Sequence, residues 1–251
     1  MPCEHDHSAR SDNARQANGP NGRDRCWRRQ AQRPLATGII VRVGPTPDIR
    51  LCFLGDSFTQ GVGDETGRGW VGRVVERARG ADANVTAYNL GVRRETAPQV
   101  ERRWITEVTP RLRDGDAYGI VLAVGVNDTA VDEGQRRLPT HETLRSLEQV
   151  VEGARSRNWP VLVVGPALVD DHEHNERILD LSADLSDACG AAGVLFVDVA
   201  HGLVGDDAWL ADVSAVDDAH PTPGGYAQLA EVIWPTFADW LGTVGTRDQR
   251  R

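Results

Sequence analysis

From residue 49 onward, short apolar runs alternate with longer stretches that carry an apolar stripe. The runs cover 49–54, 85–90, 118–124, 161–164 and 194–199 and predict five strands. The third and fourth (Ile-Val-Leu-Ala-Val and Val-Leu-Val-Val) are continuous, as strands covered on both faces are. Between the runs, periodicity predicts helices over 70–79, 98–109, 140–157 and 175–189. In the third of these, Leu144, Leu147, Val151 and Ala154 form one stripe. A last helix is expected from Pro223, with Thr222 as its N-cap and Tyr226, Leu229, Ala230 and Ile233 on one face. Pro235 should break or kink it before 237–241. Strand and helix alternating five times imply a parallel sheet with helices on both sides.

The first 35 residues or so lack such a pattern and are rich in Arg, Asn, Gln, Asp and Gly, which reads as disorder. Residues 35–43 could add a short extra strand. The expected division is therefore a basic tail over 1–46, one α/β domain over 47–245 and a C-terminal tail over 246–251. Residues 1–46 hold eight Arg against four carboxylates, net +4. The rest holds 20 Arg against 33 carboxylates, net −13. An acidic body repels phosphate backbones and argues against nucleic-acid binding.

All 28 cationic side chains are Arg, and Lys is absent. This excludes a Walker-A lysine, a pyridoxal Schiff base, a kinase ATP-anchoring lysine and a Ser-x-x-Lys nucleophile. Cys3, Cys26, Cys52 and Cys189 show no C-x-x-C spacing. Cys52 and Cys189 fall in apolar patterns that suit buried free thiols and a reducing compartment. The chain has no signal-peptide-like apolar segment in its first 46 residues and no run of about 18 apolar residues, so no membrane span is expected and the cytoplasm is the expected location.

In open parallel sheets, sites form at the carboxyl ends of the strands. Four segments should converge there: Gly55-Asp56-Ser57 after the first strand, Gly91 after the second, Gly125-Val126-Asn127-Asp128 after the third, and Asp217-Asp218-Ala219-His220-Pro221 after the fifth. Together they supply the parts of an acyl-transfer site. A serine hydroxyl needs a base within reach, which His220 can be, and the imidazole needs a carboxylate behind it, which Asp217 can be. The amides of Ser57 and Gly91 and the carboxamide of Asn127 could hold an oxyanion. Asp218 competes with Asp217 for the orienting role, while Asp56 and Asp128 read as groups that bond their own loops. Arg93 and Arg94, just past Gly91, are candidates to meet an anionic substrate. The segment Asp170-Asp171-His172-Glu173-His174 is the best metal candidate, although it also suits a solvated loop opening a helix. Gly61, Gly63 and Gly67 miss the dinucleotide-binding spacing by one residue.

The four segments, in this order, resemble the sequence blocks of the SGNH (GDSL) hydrolase family over about residues 49–241. The resemblance implies a three-layer α/β/α, flavodoxin-like fold with a five-stranded parallel sheet and a small-molecule acyl ester or thioester as substrate. It implies Ser57 as nucleophile, His220 as base, Asp217 as its orienter, and Ser57, Gly91 and Asn127 as the oxyanion hole, with no cofactor and no metal. The nucleophile block reads Ser-Phe where the family has Ser-Leu, an apolar exchange. An acyltransferase or a carbohydrate O-deacetylase would use the same acyl-enzyme, and a non-catalytic flavodoxin-like binding module is the third alternative.

Overall fold

A computed structural model describes residues 46–244. The chain divides into two units, Met1–Val43 and Gly44–Arg251, and every described residue belongs to the second. The extra strand expected over 35–43, the C-terminal tail and all but Thr46 of the basic tail lie outside the described residues.

Five strands form one parallel sheet: β1 (Ile49–Gly55), β2 (Val85–Gly91), β3 (Ala117–Ala123), β6 (Val161–Val164) and β7 (Leu195–Val197). Their order is β2-β1-β3-β6-β7. Successive side chains of a strand face opposite ways, and here both faces are apolar. Leu51 and Phe53 enter one core with Trp70 and Val74 of α2 (Gly69–Gly80) and with Phe237 and Trp240 of α9 (Pro223–Val244). Cys52 and Leu54 enter the other with Val100 and Trp104 of α3 (Ala97–Val108), Val150 of α5 (Thr140–Arg155) and Leu185 of α6 (His172–Ala192). The fold is thus the expected three-layer α/β/α arrangement. Phe53 shows how closely it packs: its ring centroid lies 5.8 Å from that of Trp70, edge-on, and 6.1 Å from that of Phe237. Burying a side chain of this size contributes about 1.5–3 kcal/mol.

Three departures from the sequence expectation have physical causes. Of the break or kink expected at Pro235, no break occurs: α9 continues through it. A proline in a helix interior costs about 3 kcal/mol or more, but beyond it Phe237, Trp240, Leu241 and Val244 are all buried on the core side, which offsets that loss. The fifth strand stops at Val197, because the Asp198 carboxylate accepts from His201 N and starts α7 (Val199–Gly202). A two-stranded hairpin, β4 (Val131–Asp132) and β5 (Gln135–Arg136), follows α4 (Val126–Thr129), and Glu133 and Gly134 both have positive φ at its turn. The remaining short helices, α1 (Ser57–Gln60) and α8 (Asp207–Ser214), flank the site segments.

The register sets up the site. Gly55 at the end of β1 lies opposite Gly91 of β2 and Ala123 of β3, so three strands end level. The chain turns outward from β1 to β2 and then returns across it to β3. This strand-order reversal opens a crevice at the carboxyl ends.

Candidate active site

Ser57 is the first residue of α1 and is nearly buried. The turn that presents it is built by Asp56, whose Oδ1 accepts from Phe58 N at 2.9 Å as the helix N-cap. The turn packs so tightly that its glycine neighbour can carry no side chain. A Cβ on Gly91 would lie 2.4 Å from Gln60 N and 2.7 Å from Asp56 O. Beneath the turn, the Arg103 guanidinium of α3 donates to Leu90 O (2.8 Å) and Gly55 O (3.2 Å), clamping the ends of β1 and β2. Its charge is balanced by Glu95 and Glu107.

Asn127 lies on α4, and its Nδ2 donates to Asp56 Oδ2 at 2.9 Å. A carboxamide nitrogen has two hydrogens, so one N–H remains for another acceptor. Asp56 thus bonds beyond its own loop and ties the first segment to the third. Burial pushes its carboxyl up to about 7, against the opposing effect of the bonds from Phe58 N and Asn127. Asp128 also reaches beyond its loop: its carboxylate accepts from Ala97 N (3.0 Å) and Thr143 Oγ1 (2.8 Å), joining α4 to α3 and α5. Burial raises its pKa.

His220 closes the group. Its Nδ1 lies 2.8 Å from Asp217 Oδ2 and 3.0 Å from Oδ1, and its backbone N–H donates to the same carboxylate at 2.8 Å. An ionised carboxylate only accepts, so Nδ1 carries the hydrogen and Nε2 is the basic nitrogen. Burial acts to raise the Asp217 pKa, but the bonds from His220 prevail and hold it below the ordinary value. Asp218 contributes differently: at φ 62° it turns the loop, and its carbonyl accepts from Asp170 N. The imidazole packs at a tilt against the ring of Phe58, the residue after Ser57, with centroids 5.4 Å apart. Among the described residues Ser57 Oγ makes no hydrogen bond to His220. The end of the loop is held by Asp212, which accepts from Thr222 N and Oγ1, and Tyr226 of α9 ties the helix that follows to the segment after α1 by donating to Val62 O.

The structure adds residues that the spacing of motifs did not reveal. Asn89 Oδ1 accepts from Gly91 N at 3.0 Å, while its Nδ2 donates to Thr59 O at 2.7 Å. The Gly91 amide therefore has a partner within its own strand. Arg137 Nη1 donates to Asn127 Oδ1 at 3.2 Å. Helix α6 braces α4, with Arg177 Nε donating to Thr129 O at 2.9 Å and His174 Nε2 lying 3.0 Å from Thr129 Oγ1 and 3.1 Å from Val126 O. This last bond separates the two histidines of the metal candidate, since His174 turns inward and His172 stays exposed beside Glu176. Burial lowers the pKa of His174. Among the described residues, no group of three or more His, Cys, Asp or Glu side chains could hold a metal ion. Arg93 and Arg94 are exposed.

The sequence model of the GDSL-like Lipase/Acylhydrolase family matches residues 53–228, more than half of the chain. The chain belongs to this family. It is accordingly an ester-hydrolysing enzyme. No curated protein sequence matches it. Among solved structures, TesA superposes with a TM-score of 0.63 at 20% identity, covering 76% of this chain and 99% of its own. A lipolytic G-D-S-L family protein from Veillonella parvula gives 0.58 at 17%, covering 76% and 98%. A catalytic mutant of Axe2, an acetylxylan esterase from Geobacillus stearothermophilus, gives 0.60 at 18%, covering 79% and 96%. At these identities the likeness is one of fold. Among the described residues, no helix of this GDSL-like protein is long and apolar enough to cross a membrane.

Proposed function

We propose that the protein is a serine ester hydrolase that works through an acyl-enzyme on Ser57. His220 Nε2 takes the Ser57 proton as Oγ attacks the carbonyl carbon of a small acyl ester. The oxyanion forms against the amides of Ser57 and Gly91 and the second N–H of Asn127. His220 then gives the proton to the departing alcohol, and a water, deprotonated by the same nitrogen, cleaves the acyl-enzyme to carboxylic acid and free Ser57. Asp217 keeps the hydrogen on Nδ1 and balances the imidazolium. The reaction uses no cofactor.

The observation that carries this reading is the His220–Asp217 pair, 2.8 Å apart, with the imidazole tilted against the ring of Phe58, which follows Ser57. Serine–histidine bonds in unliganded enzymes are often long and tighten around substrate, so the missing Ser57–His220 bond is compatible with it. The Gly91 amide must turn from Asn89 Oδ1, or be shared with it, to meet an oxyanion. Two buried free thiols, Cys52 and Cys189, suit a cytoplasmic location.

A fluorophosphonate probe tests the nucleophile. It should modify Ser57 alone, and Ser57→Ala should abolish both labelling and hydrolysis of p-nitrophenyl acetate. Labelling elsewhere, or full activity in Ser57→Ala, would overturn the mechanism.

A further inference from the structure

We propose that Arg137 is a positioning residue for the oxyanion hole, fixing the Asn127 carboxamide so that its nitrogen is the end turned to the Asp56–Ser57 turn. The proposal rests on Asn127 acting as an oxyanion donor, as argued above.

A carboxamide is nearly symmetric in shape, but its two ends have opposite electrostatic character. A half-turn about the Cβ–Cγ bond would replace a donor by an electron-rich oxygen. Two contacts oppose that rotation: Asn127 Nδ2 donates to Asp56 Oδ2 at 2.9 Å, and Asn127 Oδ1 accepts from Arg137 Nη1 at 3.2 Å. The first alone would not suffice, because burial raises Asp56 to about 7, and a protonated Asp56 could donate to a reversed Oδ1. A guanidinium is always charged and only donates, so it accepts the oxygen end alone.

Arg137 is itself held in place. Its Nε lies 3.3 Å from Asp132 Oδ2, and its Nη2 donates to Arg94 O at 3.1 Å, so three nitrogens serve three different acceptors. Its side chain is only 18% exposed. Its backbone N–H bonds Ala130 O at 2.8 Å, and the next amide, Leu138 N, bonds Asp128 O at 3.2 Å, which fastens the base of the hairpin to α4. The β4–β5 hairpin therefore serves to deliver this guanidinium. The charge on Oδ1 also polarises the carboxamide and strengthens the donor at its other end.

Steady-state hydrolysis of p-nitrophenyl acetate by the full chain tests this in wild type, Arg137→Leu, Arg137→Lys, Asn127→Ala and the Asn127→Ala/Arg137→Leu double variant. Arg137→Leu should lower kcat about tenfold with KM within about twofold, a fraction of the 10²–10³ expected for losing a donor outright. Arg137→Lys, one nitrogen for three acceptors, should recover only part. In the Asn127→Ala background the Arg137→Leu change should have almost no further effect on kcat, because the group it acts through is gone. Equal losses in both backgrounds, or a wild-type kcat in Arg137→Leu, would overturn the proposal while leaving Asn127 as a donor. A wild-type rate in Asn127→Ala would overturn the donor reading itself and this proposal with it. If thermal unfolding shows Arg137→Leu to be misfolded, Arg137→Met, which likewise has no donor, takes its place in both backgrounds, with the same outcomes deciding.

Discussion

Asp56 Oδ2 and Asn127 Nδ2 meet at 2.9 Å across 71 positions of sequence, between the turn after β1 and the helix after β3. The same carboxyl group caps α1 through its other oxygen. One buried side chain thus sets both the direction of the Ser57 turn and the direction of the Asn127 amide. The two cannot move independently.

That carboxyl should be visible in the pH dependence of stability. Its pKa is raised by burial from 3.8 to about 7 in the folded protein. Between these values the native state binds more protons than the unfolded state, so stability falls as pH rises from about 4 to about 7 and then levels off. Asp56→Asn removes the group that titrates. In urea titrations, its unfolding free energy relative to wild type should rise by a few kcal/mol, on the order of 3, between pH 4 and pH 7. A flat difference across that window would mean that Asp56 is not perturbed.

The two aspartates of the last loop should separate cleanly. Asp217 holds the imidazole through Nδ1 and the backbone, whereas Asp218 only turns the chain at φ 62°. Asp217→Asn should lower kcat about a hundredfold or more, because an amide can no longer hold the right tautomer or balance the imidazolium. Asp218→Asn should stay within about threefold, since Asn tolerates a left-handed backbone. The reverse ranking in kcat would reassign the orienting carboxylate.

The sheet was legible because its strands are buried on both faces: runs such as Val161–Val164 leave no polar face to mistake. The major helices were legible from their stripes, and the edge where Ser57, Gly91, Asn127 and His220 gather follows from strand order alone. Pro235 does not break α9, because the apolar surface buried beyond it, which local chemistry does not show, holds the helix together. The segment 170–174 opens α6 with Asp171 as its N-cap, and the helix turns His172 and His174 to different environments. Arg137 and Asn89 carry no motif. Their roles depend on which atoms a hairpin and a strand end bring within about 3 Å, and that is a property of packing. Glu133 and Gly134, both at positive φ, make the turn of that hairpin.

Gly91 offers a test of packing as distinct from chemistry. The Cβ of Gly91→Ala would fall 2.4 Å from Gln60 N, a backbone atom that cannot swing away. Overpacking of this kind costs about 1–3 kcal/mol, and here the displaced backbone carries Ser57. Gly91→Ala should therefore lose stability and activity together. Gly80→Ala at the end of α2 meets nothing within 4 Å and should be neutral or stabilising by up to about 1 kcal/mol. Chemical denaturation and kcat/KM measured on both variants check the contrast, and a Gly91→Ala protein as stable as Gly80→Ala would contradict the close approach.

Asp64 anchors the loop between α1 and α2, and its acid response has the opposite sign to that of Asp56. The carboxylate is buried, accepts from Thr66 N (2.9 Å) and Gly69 N (2.8 Å), and pairs with Arg73, which itself donates to Pro223 O. Burial acts to raise its pKa, but the bonds from Thr66, Arg73 and Gly69 dominate and bring it down from 3.8 to about 2. A depressed folded pKa contributes stability that is present above the unfolded value and disappears as pH falls through the folded one. The shift corresponds to about 2 kcal/mol. Asp64→Asn should accordingly be less stable than wild type at pH 6, with that deficit shrinking by about 2 kcal/mol between pH 4 and pH 2. The Arg73 guanidinium, left without its partner, should also loosen its hold on Pro223 at the start of α9, which directly follows the His220 loop. A loss of activity in Asp64→Asn at pH 7, measured beside its stability, would show whether this ion pair steadies the base as well as the loop. Unchanged stability at pH 6 would remove the pair from either role.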